Sequence, residues 1–222
     1  MIAVAIDGPA GAGKSTISRT LAGKLGYIYV DTGALYRALG LKFSRLGYDT
    51  NLNCDIEEVL KDTKIDICFI DGGQHVMLDG TDVSGDIRTP EASMMASAVS
   101  AKPLVRAFLL EMQRDLARRN NVIMDGRDIG TVVLPNAEVK IFLTATPEIR
   151  AERRYKELIE KGMDVKYDDI LADVIKRDYN DSHREIAPLK PAENSVIADT
   201  SELSFDESVE LLYNIVKNKI GE

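Results

Sequence analysis

Short, continuously apolar runs alternate along the chain with stretches in which apolar residues recur every three or four positions. Residues 2–6 form such a run, ended by Asp-Gly-Pro, and predict a strand buried on both faces. Behind it, apolar residues at every fourth position predict a helix from about Lys14 that stops at Gly26. Similar short runs predict further strands over 27–30, 122–124, 139–143 and 195–198. Strands that alternate with helices imply a parallel sheet with right-handed crossovers.

Two stretches interrupt this rhythm. Between residues 34 and 99 the pattern predicts a helix, a second short helix, and a hairpin around Asp71-Gly72-Gly73, which together indicate an inserted small domain. From 147 to 184, two helices rich in Arg and Glu meet at Gly162 and carry few large apolar residues, as is typical of a mobile flap. The predicted organisation is a core over 1–33, 100–146 and 185–222, an insertion over 34–99, and a lid over 147–184.

The composition narrows the class of protein. The 222 residues are 45% hydrophobic and 29% charged, which is typical of an ordinary globular chain. A net charge of −8 argues against non-specific binding to nucleic acid. Cys54 and Cys68 lack the spacing of a zinc site or a disulfide framework. No early apolar run is long enough for a signal sequence or a membrane span. We therefore expect a cytoplasmic protein with neither a nucleic-acid nor a membrane partner. We also expect it to be a monomer.

The first strand and helix enclose a phosphate-binding motif. Gly8-Pro-Ala-Gly-Ala-Gly-Lys14-Ser15 matches the P-loop pattern G-x-x-x-x-G-K-[ST] in the strand-to-helix context that the pattern requires. The glycines let backbone N–H groups point at phosphate oxygens, Lys14 spans the terminal phosphates, and the Ser15 hydroxyl reaches Mg²⁺. We expect a magnesium nucleoside triphosphate as ligand.

Arginines outside this loop indicate a second phosphate site. Phosphoryl transfer between two nucleotides gathers roughly five or more negative charges, which planar guanidinium groups neutralise well. The candidates are Arg37, Arg127, Arg150, Arg153, Arg154, Arg177 and Arg184. The spacing of Arg150, Arg153 and Arg154 places them on one helix face, which fits a lid that clamps phosphates. The alternative is a solvated face paired with Glu148, Glu152 and Glu157.

Several carboxylates accompany these arginines. Asp125, Arg127 and Asp128 follow a predicted strand, at the edge of a parallel sheet where ligands bind. Asp125 either holds Mg²⁺ through a water molecule or only caps the strand-end turn. Arg177 and Asp181 lie one turn apart on a helix, and either contact a ligand or form a simple ion pair. The aromatic residues expected only to pack in the interior are Tyr27, Tyr29, Phe142 and Phe205.

A P-loop alone does not name a reaction. A guanine-nucleotide switch needs an N-K-x-D segment, and Asn218-Lys219 is followed by Ile-Gly. Residues 82–85 match D-x-x-G, but they lie in the insertion and follow no core strand. The open alternatives are a P-loop kinase and a nucleotide-gated binding module without transfer activity.

Five segments of the sequence resemble bacterial cytidylate kinases. In chain order they are Asp7-Gly-Pro-Ala-Gly-Ala-Gly-Lys-Ser-Thr16, Asp31-Thr-Gly-Ala-Leu-Tyr-Arg37, Ser84-Gly-Asp-Ile-Arg-Thr89, Asp125-Gly-Arg-Asp-Ile-Gly-Thr131 and Arg177-Asp-Tyr-Asn-Asp-Ser-His-Arg184. They follow the family's order and spacing from Asp7 to beyond Pro188. The resemblance implies a fold similar to adenylate kinase: an α/β P-loop NTPase with a three-layer parallel sheet, an inserted nucleoside-monophosphate-binding domain and a helical lid.

The resemblance also implies a reaction, in which ATP and Mg²⁺ phosphorylate CMP or dCMP to give ADP and CDP or dCDP. It assigns the CMP phosphate to Arg37, Arg127 and Arg184, the sugar to Arg177 and Asp181, the cytosine to Ser97, Arg106 and Asp128, and the lining of the acceptor pocket to Thr32 and Tyr36. The expected ATP-binding residues are Gly8, Pro9, Ala10, Gly11, Ala12, Gly13, Lys14, Ser15, Thr16, Arg150, Arg153 and Arg154.

The expected catalytic groups are Lys14, Arg37, Arg127 and Arg184. The acceptor phosphate is already ionised, so no general base is expected. A kinase for UMP, AMP or a small metabolite is the alternative within the same enzyme class.

Overall fold

The computed structural model describes residues 1–70 and 73–221. Its elements in chain order are β1 (Ala3–Asp7), α1 (Lys14–Leu25), β2 (Ile28–Asp31), α2 (Thr32–Arg45), α3 (Ile56–Lys61), β3 (Ile65–Ile70), β4 (Gly73–Leu78), β5 (Thr81–Asp82), α4 (Pro90–Ser100), α5 (Pro103–Arg119), β6 (Val122–Gly126), a π-helical turn (Ile129–Val133), β7 (Val139–Thr144), α6 (Pro147–Glu160), α7 (Tyr167–His183), β8 (Val196–Asp199) and α8 (Phe205–Ile220). The chain divides into two compact units, Met1–Tyr29 with Asn120–Glu222, and Val30–Arg119.

The first unit is built on a five-stranded sheet in the order β2-β6-β1-β7-β8. β1 pairs in parallel with both neighbours, so that Val4 lies opposite Ile123 on β6 and Val139 on β7. All three residues are fully buried, as expected of a strand that is covered on both faces. The predicted α/β class and parallel sheet are confirmed.

Helices α1 and α8 pack together on this sheet through Ile17 and Leu21 from α1, and Val209 and Leu212 from α8. α1 begins at Lys14 and ends at Leu25, and the left-handed φ of 69° at the following Gly26 lets its N–H reach the carbonyl of Ala22 in the last turn. Both ends of α1 are therefore as the sequence predicts. Because α1 starts at Lys14, its N-terminal end adjoins the loop that follows β1.

The second unit has a helical core and a small antiparallel sheet. α2 and α4 pack closely, because a Cβ atom on Gly40 would lie only 2.8 Å from that of Met95. β3 and β4 form the predicted hairpin, with Ile65 opposite Leu78. Of the predicted turn, residues 71 and 72 lie outside the described part of the chain.

Helix α5 belongs to the second unit, whereas the sequence interpretation assigned residues 100–146 to the core. The reason is packing: Val105 and Leu109 of α5 are fully buried in the same apolar cluster as Leu35 and Leu39 of α2. Helical periodicity alone identifies which face of α5 is apolar, but not which helix covers it.

The predicted pair of Arg- and Glu-rich helices is α6 and α7, joined through Gly162 with φ 73°. The two helices share a small apolar cluster of Ala151, Leu158, Ile170 and Val174. That α6 and α7 act as a mobile lid stays a prediction. None of the helices in the described residues combines the length and apolar character that crossing a bilayer requires.

Candidate functional site

The loop between β1 and α1 has a backbone shape that its glycines allow. Gly8 has φ 153°, and a Cβ atom there would lie 1.9 Å from the carbonyl oxygen of Leu143. Gly13 has φ 84° and precedes α1 without a side-chain cap. The first N–H groups of α1, at the positive end of the helix dipole, therefore have no capping side chain from this position. This is the arrangement of a phosphate-binding loop.

Lys14 is buried, and its Nζ donates a hydrogen bond to the carbonyl oxygen of Pro9 at 2.7 Å. Burial, followed by the neighbouring positive charge of Arg127, lowers the pKa of Lys14 to about 7. Three carboxylates oppose that shift, those of Asp125, Asp181 and Asp7. In the free protein, burial and Arg127 therefore destabilise the charged form of Lys14. A bound phosphate would stabilise it, because its negative charge lies against the ammonium group.

Asp125 is the penultimate residue of β6 and lies beside the first turn of α1. Its carboxylate accepts two hydroxyl hydrogen bonds, from Ser15 at 3.1 Å and from Tyr29 at 2.8 Å. Asp125 and Tyr29 are buried, whereas Ser15 is exposed. Asp125 was predicted to hold a magnesium-bound water or to cap a turn, and its contact with Ser15 favours the first interpretation.

The residues around Ser15 fit Mg²⁺ in its usual protein setting. No cluster of three His, Cys, Asp or Glu side chains suited to a metal ion is found within residues 1–70 and 73–221. Mg²⁺ rarely needs such a cluster, because it retains several waters and takes its other oxygens from one or two protein groups and substrate phosphates. A hydroxyl next to a buried carboxylate at the end of a phosphate loop supplies that donor set.

Asp7, the residue before the loop, fixes a second backbone segment. Its two carboxylate oxygens accept hydrogen bonds from the N–H groups of Ile129 at 2.7 Å and Gly130 at 2.8 Å. Burial raises the pKa of Asp7 to about 6, against the lowering effect of these two bonds. Asp7 thereby holds the turn that directly follows Arg127 and Asp128.

The predicted acceptor residues of the first unit lie together around Asp181. Arg127 donates from Nε to Asp181 Oδ2 at 2.8 Å. Burial acts to raise the pKa of Asp181, but Arg127, together with the charges of Arg177 and Arg184, holds that pKa below its ordinary value. Arg184 in turn lies 3.7 Å from Asp128 and donates from Nε to the carbonyl of Ala187. Asp181, which the sequence pairs with Arg177 on α7, is thus hydrogen-bonded to Arg127.

In the second unit, Asp31 organises the start of α2. Its carboxylate accepts from the N–H of Ala34 at 3.0 Å and pairs with Arg37 at 2.8 Å. The side-chain amide of Gln74 binds both backbone polar atoms of Asp31, accepting from its N–H and donating to its carbonyl. Thr32, the first residue of α2, is buried.

The remaining predicted residues of this unit are Tyr36, Ser97 and Arg106. The guanidinium carbon of Arg106 lies 5.8 Å from the centre of the Tyr36 ring, within cation–π range. Ser97 is half-buried on α4, where its carbonyl accepts from Ser100. Arg106 and Tyr36 therefore lie close together, and their assignment to cytosine and to the acceptor pocket stays a prediction.

The three arginines of α6 have separate partners. Arg150 is buried: it pairs with Asp178 on α7 and donates to the carbonyls of Ala145 and Ala10. It thus ties α6 and α7 to the phosphate loop. The Nη2 of Arg153 donates to the carbonyl of Thr200 at 2.7 Å.

Arg154 is more exposed and pairs with Glu157, as the alternative interpretation of a solvated face has it. The structure therefore does not gather the guanidinium groups of Arg150, Arg153 and Arg154, and their contact with ATP stays a prediction.

A cavity of about 400 Å³ opens beside the phosphate loop within the first unit. Its lining includes Pro9 from the loop, Thr144 at the end of β7, Asp199 at the end of β8, and Pro147 and Arg150 of α6. It therefore lies at the carboxyl ends of parallel strands, where nucleotides bind in such sheets.

Sequence reasoning missed three residues that shape these sites. Tyr29 was expected only to pack, but its hydroxyl binds Asp125. The signal for Asp7 was available, since a charged residue is the last position of an otherwise apolar buried run. Gln74 gave no signal, because a polar residue in a hairpin strand is ordinarily exposed.

Comparison with known proteins agrees with this description. Residues 4–218 match the model of the cytidylate kinase family. The cytidylate kinase of Caldicellulosiruptor bescii is 54% identical over 223 residues, covering 99% of this chain and 99% of that protein. The cytidylate kinase of Carboxydothermus hydrogenoformans is 48% identical over 216 residues, covering 97% of each. A solved structure of an uncharacterized Eubacterium ventriosum protein has a similar fold, with a TM-score of 0.52 at 12% identity over the full length of both chains. The chain belongs to the cytidylate kinase family.

Proposed function

We propose that this protein transfers the γ-phosphoryl group of ATP to CMP or dCMP, giving ADP and CDP or dCDP. The curated relatives bear the name cytidylate kinase. The observation that carries the proposal is the electrostatic coupling between the two predicted phosphate sites: the charge of Arg127, an acceptor-site residue, lowers the pKa of the P-loop Lys14.

In the proposed reaction, an oxygen of the CMP phosphate attacks the γ-phosphorus as the bond to the β-phosphate oxygen breaks. The electron pair of that bond leaves with ADP, and no proton has to be removed from the acceptor. The protein's task is therefore to position and neutralise charge. Lys14 is proposed to neutralise charge on the phosphoryl group during its transfer. Arg37, Arg127 and Arg184 are proposed to hold the acceptor phosphate.

Mg²⁺ would neutralise charge on the ATP phosphates when bound. We propose that Ser15 supplies a hydroxyl oxygen to it and that Asp125 accepts the Ser15 proton in a hydrogen bond. The hydrogen bond between these two residues in the structure supports that assignment.

For the ATP nucleoside we propose the cavity beside the phosphate loop, closed over by α6 and α7. Arg153 and Arg154 lie on the same helix as Arg150, which already contacts the loop carbonyl of Ala10. The arrival of phosphates would give these arginines negative partners that compete with Asp178 and Glu157.

For the acceptor, we propose that Arg177 and Asp181 contact the sugar, that Thr32 and Tyr36 line the pocket, and that Ser97, Arg106 and Asp128 read the base. Cytosine presents an amino donor at N4 beside acceptors at N3 and O2, which a carboxylate, a guanidinium and a hydroxyl match in sign. Uracil reverses two of these atoms, so its O4 would face the Asp128 carboxylate. We infer a cytoplasmic protein, since ATP and CMP are cytoplasmic metabolites, and we propose that it acts as a monomer.

ADP release coupled to an acceptor tests the proposal, with CMP, dCMP, UMP, AMP and GMP compared. We expect CMP and dCMP to exceed UMP in kcat/KM by at least roughly a hundredfold, because a mismatched hydrogen-bonding site leaves buried groups unpaired. Preference for another base would identify a different monophosphate kinase. No acceptor-dependent release would identify a binding module without transfer.

The role of Asp128 has its own variant. Asp128→Asn should narrow the ratio of CMP to UMP, chiefly through lost CMP activity, because the amide offers a donor to O4 of uracil. Asp169→Asn, on the exposed side of α7, is the matched control. An unchanged ratio in Asp128→Asn would show that Asp128 does not read the base.

A further inference from the structure

The Asp125 carboxylate lies between two hydroxyl groups that differ in their access to solvent. Its Oδ2 accepts from Ser15, which is exposed at the first turn of α1, and its Oδ1 accepts from Tyr29, which is buried on β2. A ligand can therefore reach Ser15 directly, whereas the buried Tyr29 is linked to Ser15 through the Asp125 carboxylate.

Tyr29 is itself firmly placed. Its strand is tied to the start of β6 by the hydrogen bond from Ile28 N–H to the carbonyl of Asn121 at 3.0 Å. The guanidinium carbon of Arg19 lies 5.6 Å from the centre of the Tyr29 ring, within cation–π range. With backbone and ring both held, the phenolic hydroxyl is a fixed donor to Oδ1 of Asp125.

Such a donor restricts rotation of the carboxylate plane, so that Oδ2 stays directed at Ser15. The direction of this acceptor matters once the oxygen of Ser15 is shared with a cation, because the Ser15 hydroxyl must then donate its proton away from the metal.

We infer that Tyr29 is a positioning residue for the magnesium site, acting through Asp125 on Ser15. This inference rests on the proposed function, in which Ser15 and Asp125 hold Mg²⁺. Tyr29 contacts neither the metal nor the nucleotide in this arrangement. Its hydroxyl should therefore affect the part of nucleotide binding that depends on Mg²⁺ and leave the rest unchanged.

The test is the affinity for ADP, measured by calorimetry with and without Mg²⁺, in the wild type and in Tyr29→Phe. The ratio of the two dissociation constants gives the gain due to Mg²⁺. In Tyr29→Phe we expect that gain to fall about five- to tenfold, the usual effect of losing one hydrogen bond, with metal-free ADP binding unchanged. Tyr213→Phe on α8 is the matched control and should keep the full gain.

A parallel measurement on Asp125→Asn separates the inference from its premise. If Asp125→Asn loses the Mg²⁺ gain and Tyr29→Phe keeps it, the role of Tyr29 is overturned while the magnesium site stands. If neither variant loses the gain, the proposed magnesium site itself is wrong. If Tyr29→Phe also loses metal-free ADP binding, Tyr29 serves only to maintain the fold, and the inference fails.

Discussion

Arg127 and Asp181 form a hydrogen-bonded ion pair of 2.8 Å in which most of both side chains is buried. The positive charges of Arg177 and Arg184 also act on Asp181, so one carboxylate partly neutralises three guanidinium groups. In the free protein Asp181 therefore provides some of the negative charge that we expect a bound CMP phosphate to provide.

Replacing Asp181 by Asn should destabilise the protein, because Arg127 and its neighbours then repel one another in a buried site. We expect the free energy of unfolding to fall by about 1 to 3 kcal/mol, measured by urea denaturation at neutral pH. Inorganic phosphate should restore more stability to Asp181→Asn than to the wild type, because an anion can replace the lost charge. Asp115→Asn, which breaks an exposed pair with Arg119, is the control and should change stability by less than about 0.5 kcal/mol.

The pH dependence of this effect has a defined sign. A folded-state pKa below the ordinary 3.8 means that Asp181 stabilises the folded protein above pH 3.8 and loses that contribution as pH falls through the lowered value. The difference between wild type and Asp181→Asn should therefore shrink below about pH 4. A constant difference down to the acid transition would contradict the ion-pair account.

Lys14→Met should abolish turnover and stabilise the fold. Burial and Arg127 lower the pKa of Lys14 from 10.5 to about 7, so below pH 7 the folded protein carries this charge at a net cost. We expect turnover to fall at least about a thousandfold and Tm at pH 6 to rise by at least about 2 °C. A folded Lys14→Met protein with near-normal turnover would remove Lys14 from the mechanism.

The same pKa predicts how ATP use varies with pH. Above about pH 7 the free enzyme loses the Lys14 proton, so kcat/KM for ATP should decline with rising pH when CMP is kept well below saturation. Bound phosphates favour the charged form of Lys14, so kcat itself should stay level to a higher pH. A kcat/KM that is flat to pH 9 would show that Lys14 keeps its proton in the free enzyme.

Closure of α6 and α7 can be followed by hydrogen exchange. An analogue that joins adenosine to cytidine through a polyphosphate should slow exchange over residues 147–184 far more than CMP alone, because the lid arginines then gain phosphate partners. The exchange of β1, already buried in the sheet, should not change and serves as an internal control. Identical exchange in the lid with and without the analogue would contradict its assignment.

Local patterns predicted most of the fold and the identity of the phosphate loop. The apolar run before Gly8 and the spacing behind Lys14 depend on neighbours in sequence, so they define β1 and α1 to within one or two residues. The hairpin β3–β4 follows for the same reason. The placement of α5 with α2 depended on long-range packing, which periodicity does not encode.

In the candidate site, too, local motifs identify residues, whereas contacts between distant parts of the chain could not be predicted. Arg127, Asp128 and Asp181 could be named from motifs, but the hydrogen bond from Arg127 to Asp181 joins residues 54 positions apart. Tyr29 lies 96 positions from Asp125. A buried aromatic residue in an apolar strand gives no sign in sequence that its hydroxyl has a polar partner, which is why Tyr29 was expected only to pack.

The most direct measurement of the central claim is the fate of the γ-phosphoryl group, followed by ³¹P nuclear magnetic resonance in a mixture of ATP, Mg²⁺ and CMP. The account predicts that CDP and ADP appear in equal amounts without orthophosphate, because the phosphoryl group passes directly between two held nucleotides. ATP that is consumed to ADP and orthophosphate while CMP remains unchanged would contradict it.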